Sequence, residues 1–126
     1  MRRAFDAAIL GDMRCLIVDD NASFVEEATN LLEREGVMVV GVASTAADAL
    51  RQVQEVQLDV VLVDIMLGSE NGFDLARRLA EDDGAVTVVL VSTHAEADFA
   101  DLIAATPAAG FVPKSELSAE AIRRFA

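Results

Sequence analysis

At 126 residues the chain is long enough for one domain with a real core, and its 53% hydrophobic content is poor in aromatics, so Val, Leu, Ile and Ala must build that core. A net charge of −12 and a pI near 4.2 oppose contact with phosphate backbones or anionic lipids and leave room for a cation or a basic protein surface. The single Cys15 excludes an internal disulfide and fits a reducing compartment, and no apolar run approaches the roughly 20 residues that span a bilayer, so a soluble, cytoplasmic protein is expected.

Residues 1–12 read as an N-terminal extension, with Phe5, Ile9 and Leu10 ahead of Gly11 and no apolar stretch of signal-peptide length. Residues 13–126 read as one domain. Residues 15–18 form a short apolar strand stopped by Asp19-Asp20-Asn21, where Asn21 can cap the next segment. Phe24, Ala28, Leu31 and Leu32 then recur at helical spacing until Gly36. Residues 37–43 are a Val-rich second strand. Thr45 to Asp48 resembles a capping box that opens a second helix through about residue 54.

Residues 58–64 carry the third strand. Val60 to Val63 is a continuous β-branched and aliphatic run, as a strand buried on both faces requires, and Asp64 is the first charge after it. Residues 67–71 read as a loop, and Gly72 opens a third helix that carries Phe73, Leu75, Ala76 and Leu79 and ends near residues 82–84. A fourth strand at 86–91 leads into Ser92-Thr93-His94. An Ala-rich fourth helix over 95–106 stops before Pro107. A short fifth strand at 110–112 precedes Pro113-Lys114-Ser115, and Ser118 can cap a last helix that runs to residue 126.

Strand and helix alternate five times with short connections, which implies an α/β domain: one parallel sheet with helices on both faces. In such a sheet the carboxyl ends of the strands share one edge, where ligands bind. Asp19, Asp20, Asp64, Ser92, Thr93 and Lys114 would meet there. Three close carboxylates cannot all ionise unaided, and a hard divalent cation such as Mg²⁺, which takes carboxylate and phosphate oxygens, resolves the repulsion. An Asp beside such a cation can act as a nucleophile toward phosphorus, with Lys114 stabilising the phosphoryl charge and the Ser92 hydroxyl in reach of a phosphoryl oxygen. Each residue alone is more simply a turn, a cap or a solvated side chain; together at four strand ends they favour chemistry. A zinc site is excluded for want of His and Cys ligands, and there is no Gly-rich phosphate loop.

Asp19-Asp20, Asp64, Ser92 and Lys114, each at a strand end in this order, resemble the signature positions of two-component response-regulator receiver domains, over roughly residues 14–126. The resemblance implies a doubly wound five-stranded sheet in the flavodoxin-like strand order 2-1-3-4-5. It implies Asp64 as phosphoacceptor, fed by a sensor histidine kinase or phosphotransfer protein. Mg²⁺ (or Mn²⁺) would be held by Asp20, Asp64, the Met66 backbone carbonyl and Asp19. Lys114 would pair with the phosphoryl group, Ser92 and Phe111 would act as switch residues, and Met66, Thr93 and His94 lie at positions that tune dephosphorylation. Gly72 matches the family glycine that opens the third helix.

Three positions depart from the family pattern. Pro113 precedes Lys114, where Pro usually follows the lysine; Thr93 stands where Ala or Gly is usual; Gly68 replaces a usual Pro. No catalysis beyond the domain's own phosphorylation and autodephosphorylation is expected, nor direct nucleic-acid or membrane binding. A homodimer through the fourth helix, fifth strand and last helix, pairing Asp98 and Asp101 with Arg123 and Arg124, is a further expectation. The alternative to a phosphorylation switch is a receiver-like protein-binding module that needs no phosphorylation. The stretch from Gly110 to Ser118 resembles receivers that carry a helix-turn-helix output domain.

Overall fold

The computed structural model describes residues 13–81 and 86–125. Five parallel strands form one sheet in the order β2-β1-β3-β6-β7: β1 (Met13–Val18), β2 (Val37–Ala43), β3 (Val60–Asp64), β6 (Thr87–Ser92) and β7 (Gly110–Pro113). With β6 and β7 counted as the fourth and fifth strands, this is the expected order 2-1-3-4-5. Helices α1 (Ala22–Arg34) and α5 (Ala119–Arg123) cover one face; α2 (Ala46–Glu55), α3 (Gly72–Glu81) and α4 (Ala100–Ala104) cover the other.

The strand residues sort by alternation, as the two-residue strand period demands. Leu16, Val18, Val61, Val63 and Leu90 pack with Ala49 of α2 and with Phe73, Leu75 and Leu79 of α3. Cys15, Ile17, Val60, Leu62, Val89 and Val91 pack with Leu32 of α1 and Ile122 of α5. All five residues of β3 are buried, so it is the central strand. The outer strand β2 is less covered, and Met38 and Val42 are each 41% exposed. Among the described residues no helix is long and apolar enough to cross a membrane.

Three expectations change. Residues 67–71 are not a plain loop: β4 (Met66–Leu67) and β5 (Glu70–Asn71) pair antiparallel in a small hairpin. Gly68 turns it at φ +59°, a left-handed conformation that proline's fixed φ cannot reach, which accounts for the glycine at this position. The fourth helix is not continuous: residues Glu96–Phe99 form a 3-10 turn ahead of the five-residue α4. Neither segment has a side-chain cap, so nothing anchors a longer helix there. The last helix is shorter than expected, ending at Arg123. The N-terminal extension, the end of α3 at 82–84 and Ala126 lie outside the described residues.

The expected caps form. Asn21 Oδ1 accepts from Phe24 N at 3.0 Å, Thr45 Oγ1 from Asp48 N at 3.2 Å, and Ser118 Oγ from Ala121 N at 3.0 Å. Two of these same helix starts, those of α2 and α5, are also held by distant carboxylates. Glu70 Oε1 accepts from Ala46 N at 2.9 Å, and Glu35 Oε1 from Ala119 N at 2.7 Å.

Candidate functional site

The parallel register carries the strand ends to one edge. Asp19 follows β1, Asp64 ends β3, Ser92 ends β6 and Lys114 follows β7. Asp19, Asp20 and Asp64 each present an oxygen, and these lie within 4.8 Å of one another. Asp19 and Asp64 are buried, at 2% and 5% exposure, whereas Asp20 faces solvent. A side chain at Gly68 would put its Cβ 3.2 Å from Asp20 Oδ2, so the hairpin turn leaves room for that carboxylate.

Each buried carboxylate has one oxygen fixed by backbone. Asn21 N donates to Asp19 Oδ1 at 2.8 Å, and Met66 N donates to Asp64 Oδ1 at 3.1 Å. The other two oxygens face Lys114, whose Nζ lies 2.7 Å from Asp19 Oδ2 and 3.3 Å from Asp64 Oδ2. The shorter contact is an ion pair without hydrogen-bond geometry, and Asp19 Oδ2 is buried with no hydrogen-bond partner. Burial, and next the charge of Asp19, push the Asp64 carboxyl above the usual range; the Met66 N–H and Lys114 pull it back only in part.

This donor set fits a hard cation. Mg²⁺ holds oxygens at about 2.1 Å, so three carboxylate oxygens this close can share one ion. Asp19 Oδ2 is buried and, among the described residues, meets only the charge of Lys114 without a hydrogen bond, so it keeps a lone pair that a cation can use.

Gly72 sets the position of the central carboxylate. A Cβ there would lie 2.1 Å from the Asp64 carbonyl oxygen and 2.8 Å from Ile65 Cα, so only glycine lets α3 start directly against the end of β3. Gly72 N donates to Ile65 O at 2.8 Å, and Asn71 Oδ1 accepts from Phe73 N at 2.7 Å.

Among the described residues, the side chains of the remaining expected residues make no hydrogen bond to the carboxylates, and Met66 reaches Asp64 only through its backbone N–H. Ser92 is buried, and its Oγ accepts from His94 N at 3.0 Å. Thr93 and His94 are exposed, and the His94 ring meets Phe99 edge-on at 5.7 Å. Phe111 is 7% exposed and already packed with the core layer under α2 and α3. Met66 is exposed. Arg123 donates to Glu35 O of its own chain at 3.4 Å. Cys15 is buried and its thiol is pushed up to about 12 by desolvation, which leaves it unreactive.

One neighbour went unread in the sequence. The Phe24 ring lies under Lys114, with Nζ 4.4 Å from the ring centroid. In the sequence Phe24 reads only as the apolar face of α1, and spacing gives no hint that its ring reaches a lysine 90 residues away.

The family profile described as "Response regulator receiver domain" matches residues 15–125. The heme response regulator HssR of Staphylococcus saprophyticus is 36% identical over 84 residues, which are 67% of this chain and 37% of HssR. The DNA-binding response regulator MtrA of Mycobacterium tuberculosis is 39% identical over 90 residues, 71% of this chain and 38% of MtrA. The chain thus spans less than two fifths of the length of these curated relatives. Among solved structures, a LuxR-family two-component response regulator from Aurantimonas sp. SI85-9A1 superposes with a TM-score of 0.79 at 31% identity, covering 90% of this chain and 81% of that one.

Proposed function

Because the chain belongs to the response-regulator receiver domains of two-component systems, we propose that Asp64 is its phosphoacceptor and that phosphorylation switches a protein-contact face. The observation that carries this reading is the set of three carboxylates closed by one ammonium at the end of the central strand.

An Asp64 oxygen attacks the phosphorus of a phosphohistidine on a sensor kinase or phosphotransfer protein. The O–P bond forms, the P–N bond breaks, and the imidazole leaves carrying a proton. Asp64 must be ionised to attack. Met66 N–H and Lys114 favour that form against burial and the charge of Asp19. Asp19, Asp20, Asp64 and the Met66 carbonyl are the groups that would hold Mg²⁺ (or Mn²⁺). Bound there, the ion supplies positive charge for the phosphoryl oxygens and relieves the repulsion among the carboxylates. Lys114 shifts from Asp19 toward the new phosphoryl oxygens, adding a second positive charge.

The hydroxyl of Ser92 turns from His94 N toward the phosphoryl group, and Phe111 and the surface around α4 and β7 adjust with it. Attack by water at phosphorus returns Asp64 and inorganic phosphate, and this self-limited cycle is the only catalysis assigned to the chain. A cytoplasmic location follows from the kinase partner. The chain's own acidity speaks against direct contact with nucleic acid, whatever the output of relatives such as MtrA.

Incubation with acetyl phosphate and Mg²⁺, followed by intact-mass measurement, tests the reading. One phosphoryl adduct that disappears in Asp64→Asn is expected. No adduct under any condition, together with no Mg²⁺ binding, would instead favour a module that works by binding alone.

A further inference from the structure

Lys114 is the only lysine in the chain; the other nine basic side chains are arginines. It is held by more than its two carboxylates. Its Nζ sits 4.4 Å from the centroid of the Phe24 ring. The backbone that carries this ring is anchored in the first turn of α1, where Phe24 N donates to the cap Asn21 Oδ1 at 3.0 Å, and the ring itself packs against the core layer under α1 and α5. Asn21 N in turn donates to Asp19 Oδ1 at 2.8 Å, and Asp19 Oδ2 is 2.7 Å from Lys114 Nζ. Four residues therefore close a circuit, from Asp19 through Asn21 and Phe24 to Lys114 and back.

We propose that Phe24 is a positioning residue for Lys114: its ring face keeps the ammonium at the strand edge while the lysine's anionic partners change. This rests on the reading of Asp64 as phosphoacceptor. Hydrogen bonds weaken steeply when the donor angle falls below about 120°, so a lysine oriented by them alone resists displacement. The attraction of an ammonium to a ring face is electrostatic and has no such angle to satisfy. Asp19 already offers Lys114 charge without hydrogen-bond geometry, and the Asp64 contact is long at 3.3 Å. Lys114 can therefore slide over the ring from Asp19 toward a phosphoryl group on Asp64 without first returning to water.

The competing role is plain packing, since Phe24 is half-buried and lies against the core layer under α1 and α5. Leucine would serve that role nearly as well and would leave the ammonium without a π-face. Selective ¹³C-lysine labelling of the full chain yields one ε-CH₂ signal, because there is one lysine. We expect the Lys114 ε-CH₂ protons to be shifted upfield by the ring in the wild type, to lose the shift in Phe24→Leu and to regain it in Phe24→Trp. The rate of phosphoryl uptake from acetyl phosphate should fall about 3- to 10-fold in Phe24→Leu and recover in Phe24→Trp. Phe24→Met serves as the aliphatic variant if Phe24→Leu does not fold.

Uptake by the aliphatic variant within about twofold of wild type, or an unshifted Lys114 signal in the wild type, would overturn the proposal. If the wild type takes up no phosphoryl group at all, the Asp64 reading fails and the functional half of this proposal falls with it. The ring shift still decides whether Phe24 seats the lysine.

Discussion

Gly72→Ala offers a test in which two physical effects have opposite signs. Alanine in a helix is ordinarily worth about 0.5–1 kcal/mol more than glycine, so on propensity alone the variant would be the more stable protein. The added Cβ, however, would sit 2.1 Å from the Asp64 carbonyl oxygen, 2.8 Å from Ile65 Cα and 2.9 Å from Asp64 C. Ordinary C···O approaches stop near about 3.3 Å, so α3 and the end of β3 must part by roughly 1 Å. All three obstructing atoms are backbone, and no rotamer change relieves them. Overpacking of this kind costs typically about 1–3 kcal/mol, which exceeds the propensity gain. For a domain of this size that is a fall in Tm of about 5–10 °C, read by circular dichroism. The same displacement moves Asp64 against Lys114 and should slow phosphoryl uptake from acetyl phosphate. An unchanged or higher Tm would refute the packing argument.

Three other expectations follow from the site and its supports. Because burial and Asp19 raise the Asp64 carboxyl in the folded chain, the folded state keeps a proton that the unfolded state has released above its ordinary carboxylate range, and stability falls as pH rises through that window. In metal-free buffer Asp64→Asn should therefore melt above the wild type at pH 7, and the two should converge below about pH 4; parallel curves would show that Asp64 is not held up. Saturating Mg²⁺ should raise the Tm of the wild type, by the equivalent of about 2.7 kcal/mol at a hundredfold excess over Kd. Asp20→Asn should keep its metal-free Tm, since Asp20 is exposed, and lose most of that rise; an equal rise would remove Asp20 from the ligand set. Glu70→Ala deletes the acceptor for Ala46 N and should cost about 0.5–2 kcal/mol in urea unfolding, with no cost expected if water replaces the carboxylate freely.

The sheet and the acidic edge were legible because each signal is local. A short β-branched run such as Val60–Val63 favours a buried strand, and the first charge after it marks where the strand leaves the core. Asn21, Thr45 and Ser118 each mark a helix that starts at the next residue, by accepting from the N–H three residues on. The hairpin at 66–71 was not legible, since two-residue strands leave no alternation to detect. Neither was the break before α4, where an Ala-rich segment has helical propensity throughout but no cap to set its start. Glu70 and Glu35 look like surface acids in the sequence. They reach helix starts 24 and 84 residues away, and only the fold brings them there. Phe24 belongs with these, because its partner Lys114 lies across the sheet edge.

The outer strand β2 gives the chain's acidity a second meaning. Among the described residues β2 is an outer strand that carries Met38 and Val42, both 41% exposed, and an outer strand with exposed apolar side chains is a template on which another copy can add. There is no lysine or proline in β2 to discourage this. The net charge of −12 does so from a distance, by making every copy repel every other. That protection is colloidal rather than steric, and so it can be switched off. Near the pI of 4.2, or in salt high enough to screen the surface, light scattering should report self-association that is absent at neutral pH and low salt. Met38→Lys should suppress it without altering the fold.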